Sequence, residues 1–192
     1  MSSPFAFDPP LTPPVLPESD VSYAVHPTSV GRLLLASAGG RLVLCAYAVD
    51  TAAEDALLRR VAGAVSPRVL RHERPLDAAR RQVDEYLTGR RRRFDLPVEL
   101  TLASPFQRKV LAGLGRTAYG ERTTYGALAR AIDHAGAARA VGTALGANPL
   151  CLVLPCHRVL PSSGGIGGYA GGPAAKEALL ALEAAGRSCL AR

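Results

Sequence analysis

Residues 137–159, AARAVGTALGANPLCLVLPCHRV, carry the strongest structural signal in the chain. The segment begins as a helix built almost wholly from small side chains, in which Arg139 alone is long and charged. An apolar run, LCLVL at 150–154, follows and leads directly into Cys156 and His157. A thiol beside an imidazole is a candidate nucleophile, because a nearby base raises the thiolate fraction. The segment thus predicts a close-packing helix next to a reactive cysteine.

Taken alone, each half of this segment has a second interpretation. A free cysteine beside a histidine is more often part of a packed core, because free cysteines are commonly buried. Adjacent residues on an extended segment also point in opposite directions, so a link between Cys156 and His157 would pass through water or a bend. The small-residue helix is equally compatible with tight internal packing and with close approach to a nucleic-acid groove, where Arg139 could replace an extruded base.

The flanking sequence predicts a mostly helical second half. Pro105 starts one helix, and Thr123 or Thr124 caps another that runs through Ile132. A turn at Gly136 then leads into the small-residue helix, and two short helices across such a turn are typical of a helix-turn-helix. A glycine-rich loop, GGIGGYAGG at 164–172, precedes the last helix.

The first half has a different pattern. VSYAVH (21–26), RLLLASA (32–38) and RLVLCAYAV (41–49) predict strands, the last two joined in a hairpin through two glycines. Asp50 caps a predicted helix, a second helix covers about 76–88, and FDLPVELTLAS (94–104) reads as a linker. We therefore predict an α+β fold: a small N-terminal domain with a short antiparallel sheet and helices, and a mostly helical C-terminal domain with a helix-turn-helix and a buried PCHRV active-site segment. The predicted boundaries are a disordered Pro-rich arm at 1–18, an N-terminal α/β domain at 19–97 and a C-terminal domain at 98–192.

Composition limits the setting and the partners. The 192 residues carry a net charge of +7, of which residues 98–192 hold +5, so an anionic partner such as nucleic acid is expected. The sequence has no run of 18 uncharged apolar residues, so it predicts no membrane span. The first twenty residues contain six prolines and do not resemble a secretory signal. The four cysteines are too irregularly spaced for a disulfide scaffold, which favours a reduced cytoplasmic setting.

Two longer segments resemble a known family. RAVGTALGANPLCLVLPCHRV (139–159) and GIGGYAGGPAAKEALLALE (165–183) are similar to the O6-alkylguanine-DNA alkyltransferases, also called methylated-DNA–protein-cysteine methyltransferases. The similarity extends back through 105–129 and covers about 98–186, whereas 20–97 are merely compatible with the family's variable N-terminal domain. It implies DNA repair by irreversible, single-turnover transfer of a methyl or alkyl group from a flipped O6-alkylguanine in double-stranded DNA to the protein's own cysteine, and leaves O4-alkylthymine open. The alternatives are a non-catalytic sensor of alkylated DNA and a thiol hydrolase.

The resemblance assigns catalytic roles to five residues. Cys156 is the alkyl acceptor, and His157 and Glu183 form a water-linked network that takes the thiol proton. Tyr125 protonates the departing guanine, since a phenol is a suitable donor to an anionic leaving group. Asn148 braces the turn between the recognition helix and the active-site strand.

The remaining implied residues contact DNA or line the substrate pocket. Arg139 fills the space of the flipped nucleotide, and Thr124 lies near the phosphates. We expect no cofactor and no bound metal, because His26, Cys45 and His72 lack a metal-ligand spacing. A monomer is expected, with cooperative assembly along DNA left open. The small helix residues at the groove are Ala138, Gly142 and Thr143, and the pocket residues are Tyr169, Val159, Gly167, Ala170 and Lys176.

Overall fold

The computed structural model describes residues 20–188, so the predicted arm at 1–18 lies outside the described residues. The first half is built on a four-stranded sheet of β1 (Val21–Thr28), β2 (Gly31–Ala38), β3 (Arg41–Tyr47) and β4 (Val69–Arg71) in the order β3-β2-β1-β4. The three predicted strands pair antiparallel, and Gly39 and Gly40 turn the hairpin with φ of +53° and +72°. β4 was not expected and pairs parallel with β1, so the sheet is mixed.

Helices cover the two faces of this sheet. α1 (Thr51–Ala64) begins at Asp50, whose carboxylate accepts a hydrogen bond from the backbone N–H of Ala53 at 2.7 Å. α2 (Asp77–Leu87) follows a short 3₁₀ turn. Alternate residues of β2 belong to two different apolar clusters: Leu34 packs in the cluster that contains Val61 of α1, and Leu33 in the cluster that contains Val83 of α2.

The second half is helical, as predicted. Its elements are α3 (Pro105–Leu114), β5 (Thr123–Thr124), α4 (Tyr125–Ala131), α5 (Ala138–Gly146), β6 (Val159–Leu160) and α6 (Gly172–Ser188). Ser104 and Gln107 form a capping box at the start of α3. Of the two candidate caps for α4 it is Thr124, whose hydroxyl accepts from the N–H of Ala127 at 3.1 Å. α4 and α5 are the helix-turn-helix pair.

The segment expected to be a linker is packed against the sheet. Leu42 of β3 donates to Pro97 O at 2.8 Å and accepts from Glu99 N at 2.9 Å. Further along the same edge, Cys45 donates to Pro149 O and accepts from Cys151 N, both at 2.7 Å. One apolar cluster contains residues of β3, α2, α3, α5 and α6 together, so the two halves share a core. Within residues 20–188 no helix is both long and apolar enough to cross a membrane.

Candidate active site

Cys156 lies in a 3₁₀ turn, so the chain is bent at Cys156 and His157 and is not extended there. The turn spans Cys156–Arg158, and the backbone N–H of Cys156 donates to Leu154 O at 2.8 Å. The apolar run before it is also bent, with Leu152 at a φ of +69° that L-residues rarely adopt. Asn148 explains the bend, because its amide donates to Leu154 O at 2.9 Å and accepts from Leu150 N at 3.0 Å, closing the run into a loop.

The thiol of Cys156 is polarised by its neighbours. Hydrogen bonding with the Cys151 thiol is the largest effect that lowers the pKa of Cys156, and it acts against burial. Asn148 Nδ2 donates to Cys156 Sγ at 3.3 Å and lowers the pKa further, as does the positive charge of Lys176. The side chain is 7% exposed. A buried thiol with a lowered pKa and an opening to solvent is a competent nucleophile.

A buried carboxylate lies behind His157. Glu183 Oε1 is 2.9 Å from His157 Nε2, and Arg158 Nε donates to both carboxylate oxygens at 3.0 Å. The hydroxyl of Tyr86 and the backbone N–H of Gly120 also donate to Glu183. Burial alone would raise the pKa of Glu183, but the hydrogen bonds from His157 and Arg158 lower it to about 2. Glu183 is therefore ionised throughout the neutral range.

The orientation of His157 determines which nitrogen holds the proton. Nε2 faces the ionised Glu183 and lies 3.2 Å from Tyr86 Oη, so Nε2 carries the hydrogen. Nδ1 is buried, and no group within residues 20–188 hydrogen-bonds to it. Burial lowers the pKa of His157 against the opposing effect of Glu183, so the ring is neutral. A neutral ring with an unprotonated Nδ1 can accept a proton there.

A cavity of about 330 Å³ opens above Cys156. Tyr125 from the start of α4 and Tyr169 from the glycine-rich loop stand on its walls, and α5 contributes two glycines and one leucine. A second cavity shares Tyr125 and Gly142 with the first and includes Arg139, which is exposed. The residues that line the first cavity are Tyr125, Gly142, Leu145, Gly146, Cys156, Gly168, Tyr169 and Ala170.

Several predicted residues have structural positions beside this cavity. Lys176 is fully buried and donates to Val159 O at 2.7 Å and to Gly168 O at 3.4 Å, so it joins the active-site turn to the glycine-rich loop. Val159 is buried and does not line the cavity. Gly167 adjoins Pro161 and Tyr125 without lining the cavity.

On the helix-turn-helix, the predicted residues separate into two groups. Ala138 lines the second cavity with Arg139, whereas Thr143 lines a different groove, beside Phe106 of α3. Thr143 is exposed and its hydroxyl donates to Arg139 O at 3.2 Å, so the structure does not bring it to the cavity. Among residues 20–188, no cluster of three or more His, Cys, Asp or Glu side chains is suited to holding a metal ion.

Four residues at this site were not identified from the sequence. Tyr86 and Arg158 bind Glu183, Cys151 lowers the pKa of Cys156, and Tyr47 packs its ring against Tyr169 with centroids 5.4 Å apart. Both tyrosines lie in the first half of the chain. Tyr47 is 122 residues from Tyr169, and Tyr86 is 71 residues from His157. Neither tyrosine stands in a chemical motif, and no neighbouring residue in the sequence points to a role at the site.

Together these features define an α+β protein in which a helix-turn-helix adjoins a cavity that ends at a polarised thiol. Two family profiles match the chain. The DNA binding domain of 6-O-methylguanine DNA methyltransferase matches residues 105–185, and the ribonuclease-like domain of 6-O-methylguanine DNA methyltransferase matches residues 21–100. The chain belongs to the 6-O-methylguanine DNA methyltransferase family.

Individual relatives agree with this assignment. The chain is 47% identical over 102 residues to the methylated-DNA–protein-cysteine methyltransferase of Mycolicibacterium paratuberculosis, covering 53% of this chain and 61% of that protein. It therefore spans about three fifths of the length of the curated relative. The crystal structure of Mycobacterium tuberculosis OGT in complex with DNA superposes with a TM-score of 0.74 at 33% identity, over 86% of this chain and 94% of that one. The Pyrococcus kodakaraensis O6-methylguanine-DNA methyltransferase gives a TM-score of 0.63 at 28% identity, over 85% and 98%.

Proposed function

We propose that this chain repairs double-stranded DNA by irreversibly moving a methyl or alkyl group from O6-alkylguanine to Cys156, once per molecule. The observation that carries the proposal is the polarised Cys156 thiol at the end of a cavity beside a helix-turn-helix. A reaction that consumes its nucleophile needs a thiolate and an orienting pocket, but no machinery for turnover. The names of the relatives, methylated-DNA–protein-cysteine methyltransferases, support the same reaction.

The proton of Cys156 goes to His157 in this proposal. Asn148 and Cys151 stabilise the thiolate directly, while His157 Nδ1 accepts the proton through one water. Glu183, ionised and hydrogen-bonded to Nε2, stabilises the imidazolium that forms. The thiolate sulfur then attacks the alkyl carbon, forming the S–C bond as the bond from carbon to O6 breaks.

Tyr125 supplies the proton for the departing guanine. Burial and the nearby Cys156 raise the pKa of Tyr125, so that the phenol keeps its proton at neutral pH. A protonated phenol on the cavity wall is a fitting donor to the guanine anion, which leaves more readily once it is neutral.

The guanine reaches Cys156 only after leaving the helix stack, because the thiol is 7% exposed at the end of the cavity. We propose that α5 presses into the minor groove with Ala138 and Gly142, and that the exposed Arg139 occupies the space of the flipped nucleotide. Thr124 is a proposed contact to the phosphates, and Thr143 is a proposed small residue at the groove; each hydroxyl hydrogen-bonds within its own helix segment.

The pocket residues orient the base. Backbone groups of Val159, Gly167 and Ala170 are proposed to contact the guanine edge, with Tyr169 beside the alkyl group. Lys176 fixes the Val159 and Gly168 carbonyls relative to each other, which keeps the pocket walls in place.

The wider proposal concerns setting and organisation. We propose a cytoplasmic monomer that needs neither metal nor cofactor, with an N-terminal domain at 19–97 and the alkyl-accepting domain at 98–192. A reducing compartment suits a protein whose function depends on a free thiol.

The deciding experiment is the intact mass of the protein after incubation with duplex DNA containing O6-methylguanine. Stoichiometric gain of one methyl in place of hydrogen, on the Cys156 peptide, is expected, with no gain in Cys156→Ser. Binding of the modified duplex without transfer would instead indicate a sensor. Repeated release of product from unmodified protein would indicate a hydrolase.

A further inference from the structure

Three cysteines in the described part of the chain are buried and free, and the proposed transfer consumes only one of them. Cys45, Cys151 and Cys156, here called the thiol cluster, are 0%, 2% and 7% exposed. The backbone of Cys45 holds Cys151 through the hydrogen bond from Cys151 N to Cys45 O at 2.7 Å. β3 therefore fixes the position of Cys151 relative to the active-site turn.

Asn148 brings Cys151 and Cys156 to the same place. The Cys151 thiol donates to Asn148 O at 3.6 Å, and Asn148 Nδ2 donates to Cys156 Sγ at 3.3 Å. Hydrogen bonding between the two thiols raises the pKa of Cys151 and lowers the pKa of Cys156, whereas Cys45 and Cys156 interact through longer-range electrostatics. The loop between the two cysteines thus holds both thiols on the same residue, Asn148.

The two sulfurs differ in chemistry and access. Cys156 has the lower pKa and lines the cavity, so a small oxidant from solvent meets its thiolate first. Cys151 is more deeply buried, and its pKa is raised by its hydrogen bond to Cys156 and by burial. An accessible, acidic thiol beside a second thiol is the arrangement of a peroxide-reactive cysteine with its resolving partner.

We propose that Cys151 and Cys156 form a reversible oxidation site, in which a peroxide converts the pair into an intramolecular disulfide. The Cys156 thiolate attacks one oxygen of hydrogen peroxide, breaking the O–O bond and releasing hydroxide, which takes up a proton to become water. Cys156 becomes a sulfenic acid. The Cys151 sulfur then attacks the Cys156 sulfur, and the sulfenic oxygen leaves as a second water. Two thiols have lost two electrons and two protons, and the peroxide has been reduced.

The disulfide protects a thiol that cannot be replaced. Cys156 held in a disulfide cannot accept an alkyl group, but a dithiol reductant returns both thiols by exchange. Without Cys151, the sulfenic acid has no adjacent thiol with which to condense, and further peroxide carries it to the irreversible sulfinic acid. This protective consequence rests on the proposed function, whereas the disulfide itself does not.

The test compares the wild type with Cys151→Ala, Cys151→Ser and the matched control Cys45→Ala after brief exposure to hydrogen peroxide. Wild type and Cys45→Ala should lose the mass of two hydrogens, and digestion after Leu152 or Leu154 should release a peptide pair joined through Cys151 and Cys156. Both Cys151 variants should instead gain oxygen on Cys156. Dithiothreitol should restore reaction with free O6-benzylguanine in the wild type and Cys45→Ala, but not in the Cys151 variants.

The proposal is overturned if the wild type gains oxygen on Cys156 without losing two hydrogens. It is equally overturned if the disulfide links Cys156 to Cys45 or Cys189, or if the Cys151 variants recover with dithiothreitol as fully as the wild type. The two Cys151 variants guard against a folding defect in either one. If the reduced wild type shows no alkyl transfer, the proposed function fails, while the mass and the linked peptides still decide the oxidation site.

Discussion

Replacing Glu183 by glutamine tests the buried ion network directly. The variant keeps the shape of the side chain and removes the negative charge that Arg158 and His157 share. Because Glu183 is 1% exposed, solvent cannot replace the lost charge. We expect a folded protein that is less stable at neutral pH.

The expected loss follows from the pKa of Glu183, which lies at about 2 in the folded protein against an ordinary value of 4.5. At about 1.4 kcal/mol per pKa unit, this shift corresponds to about 3 kcal/mol of stability. That value lies at the lower end of the cost of about 3–5 kcal/mol for breaking a buried ion pair. Since the folded pKa is lowered, the stabilisation is present in full above about pH 4.5 and is lost as the pH falls toward 2.

The assay is chemical denaturation of wild type and Glu183→Gln between pH 7 and pH 3, with Glu177→Gln as the matched control. Glu177 is an exposed carboxylate on the same helix, so its replacement should leave the free energy of unfolding nearly unchanged. The gap for Glu183→Gln should be about 3 kcal/mol at pH 7 and should narrow below pH 4.5. A gap that is the same at pH 3 and pH 7 would refute the assignment of an ionised, network-bound Glu183.

The remaining predictions concern reactivity and DNA. Arg139→Ala should slow repair of duplex DNA far more than reaction with free O6-benzylguanine, because the free base needs no flipping; equal losses on both substrates would contradict the finger role. Tyr125→Phe should slow the reaction with either substrate and leave DNA affinity unchanged, and an unchanged single-turnover rate would exclude it as the proton donor. Tyr86→Phe retains ring packing against Phe94 but loses a hydrogen bond to a charged group worth about 1.5–3 kcal/mol, so it should lower both stability and the benzylguanine rate; an unchanged rate would exclude Tyr86 from the network. Affinity for undamaged duplex, measured by fluorescence anisotropy, should fall linearly with salt on logarithmic axes and depend little on sequence, and a steep preference for one undamaged sequence would contradict binding by shape and charge.

The predictable parts of the fold are those with local signals. The β2–β3 hairpin, the cap of α1 at Asp50 and the helix-turn-helix follow from neighbouring residues, and the structure confirms them. β4 has three residues, none fully buried, and forms because β1 offers a free edge. Such a strand has no periodic pattern of its own to detect.

The site also contains residues that local sequence patterns indicate and residues that they do not. The structure places Cys156 and Asn148 together, but the positive φ of Leu152 between them has no local signal in an apolar run of this kind. Tyr86 and Tyr47 reach the site through the packing of the sheet half onto the helical half. No spacing along the chain can reveal contacts of that kind.

The outer edge of β3 has a practical consequence for anyone who wishes to rebuild this protein. The backbones of Leu42 and Cys45 hydrogen-bond to residues on either side of the predicted domain boundary between 97 and 98. Separating the two halves at that boundary would therefore remove backbone hydrogen bonds from Leu42 and from Cys45. A graft that joins the helical half to a foreign sheet would have to reproduce that seam residue by residue, since Cys45 also anchors the loop that ends at the reactive sulfur.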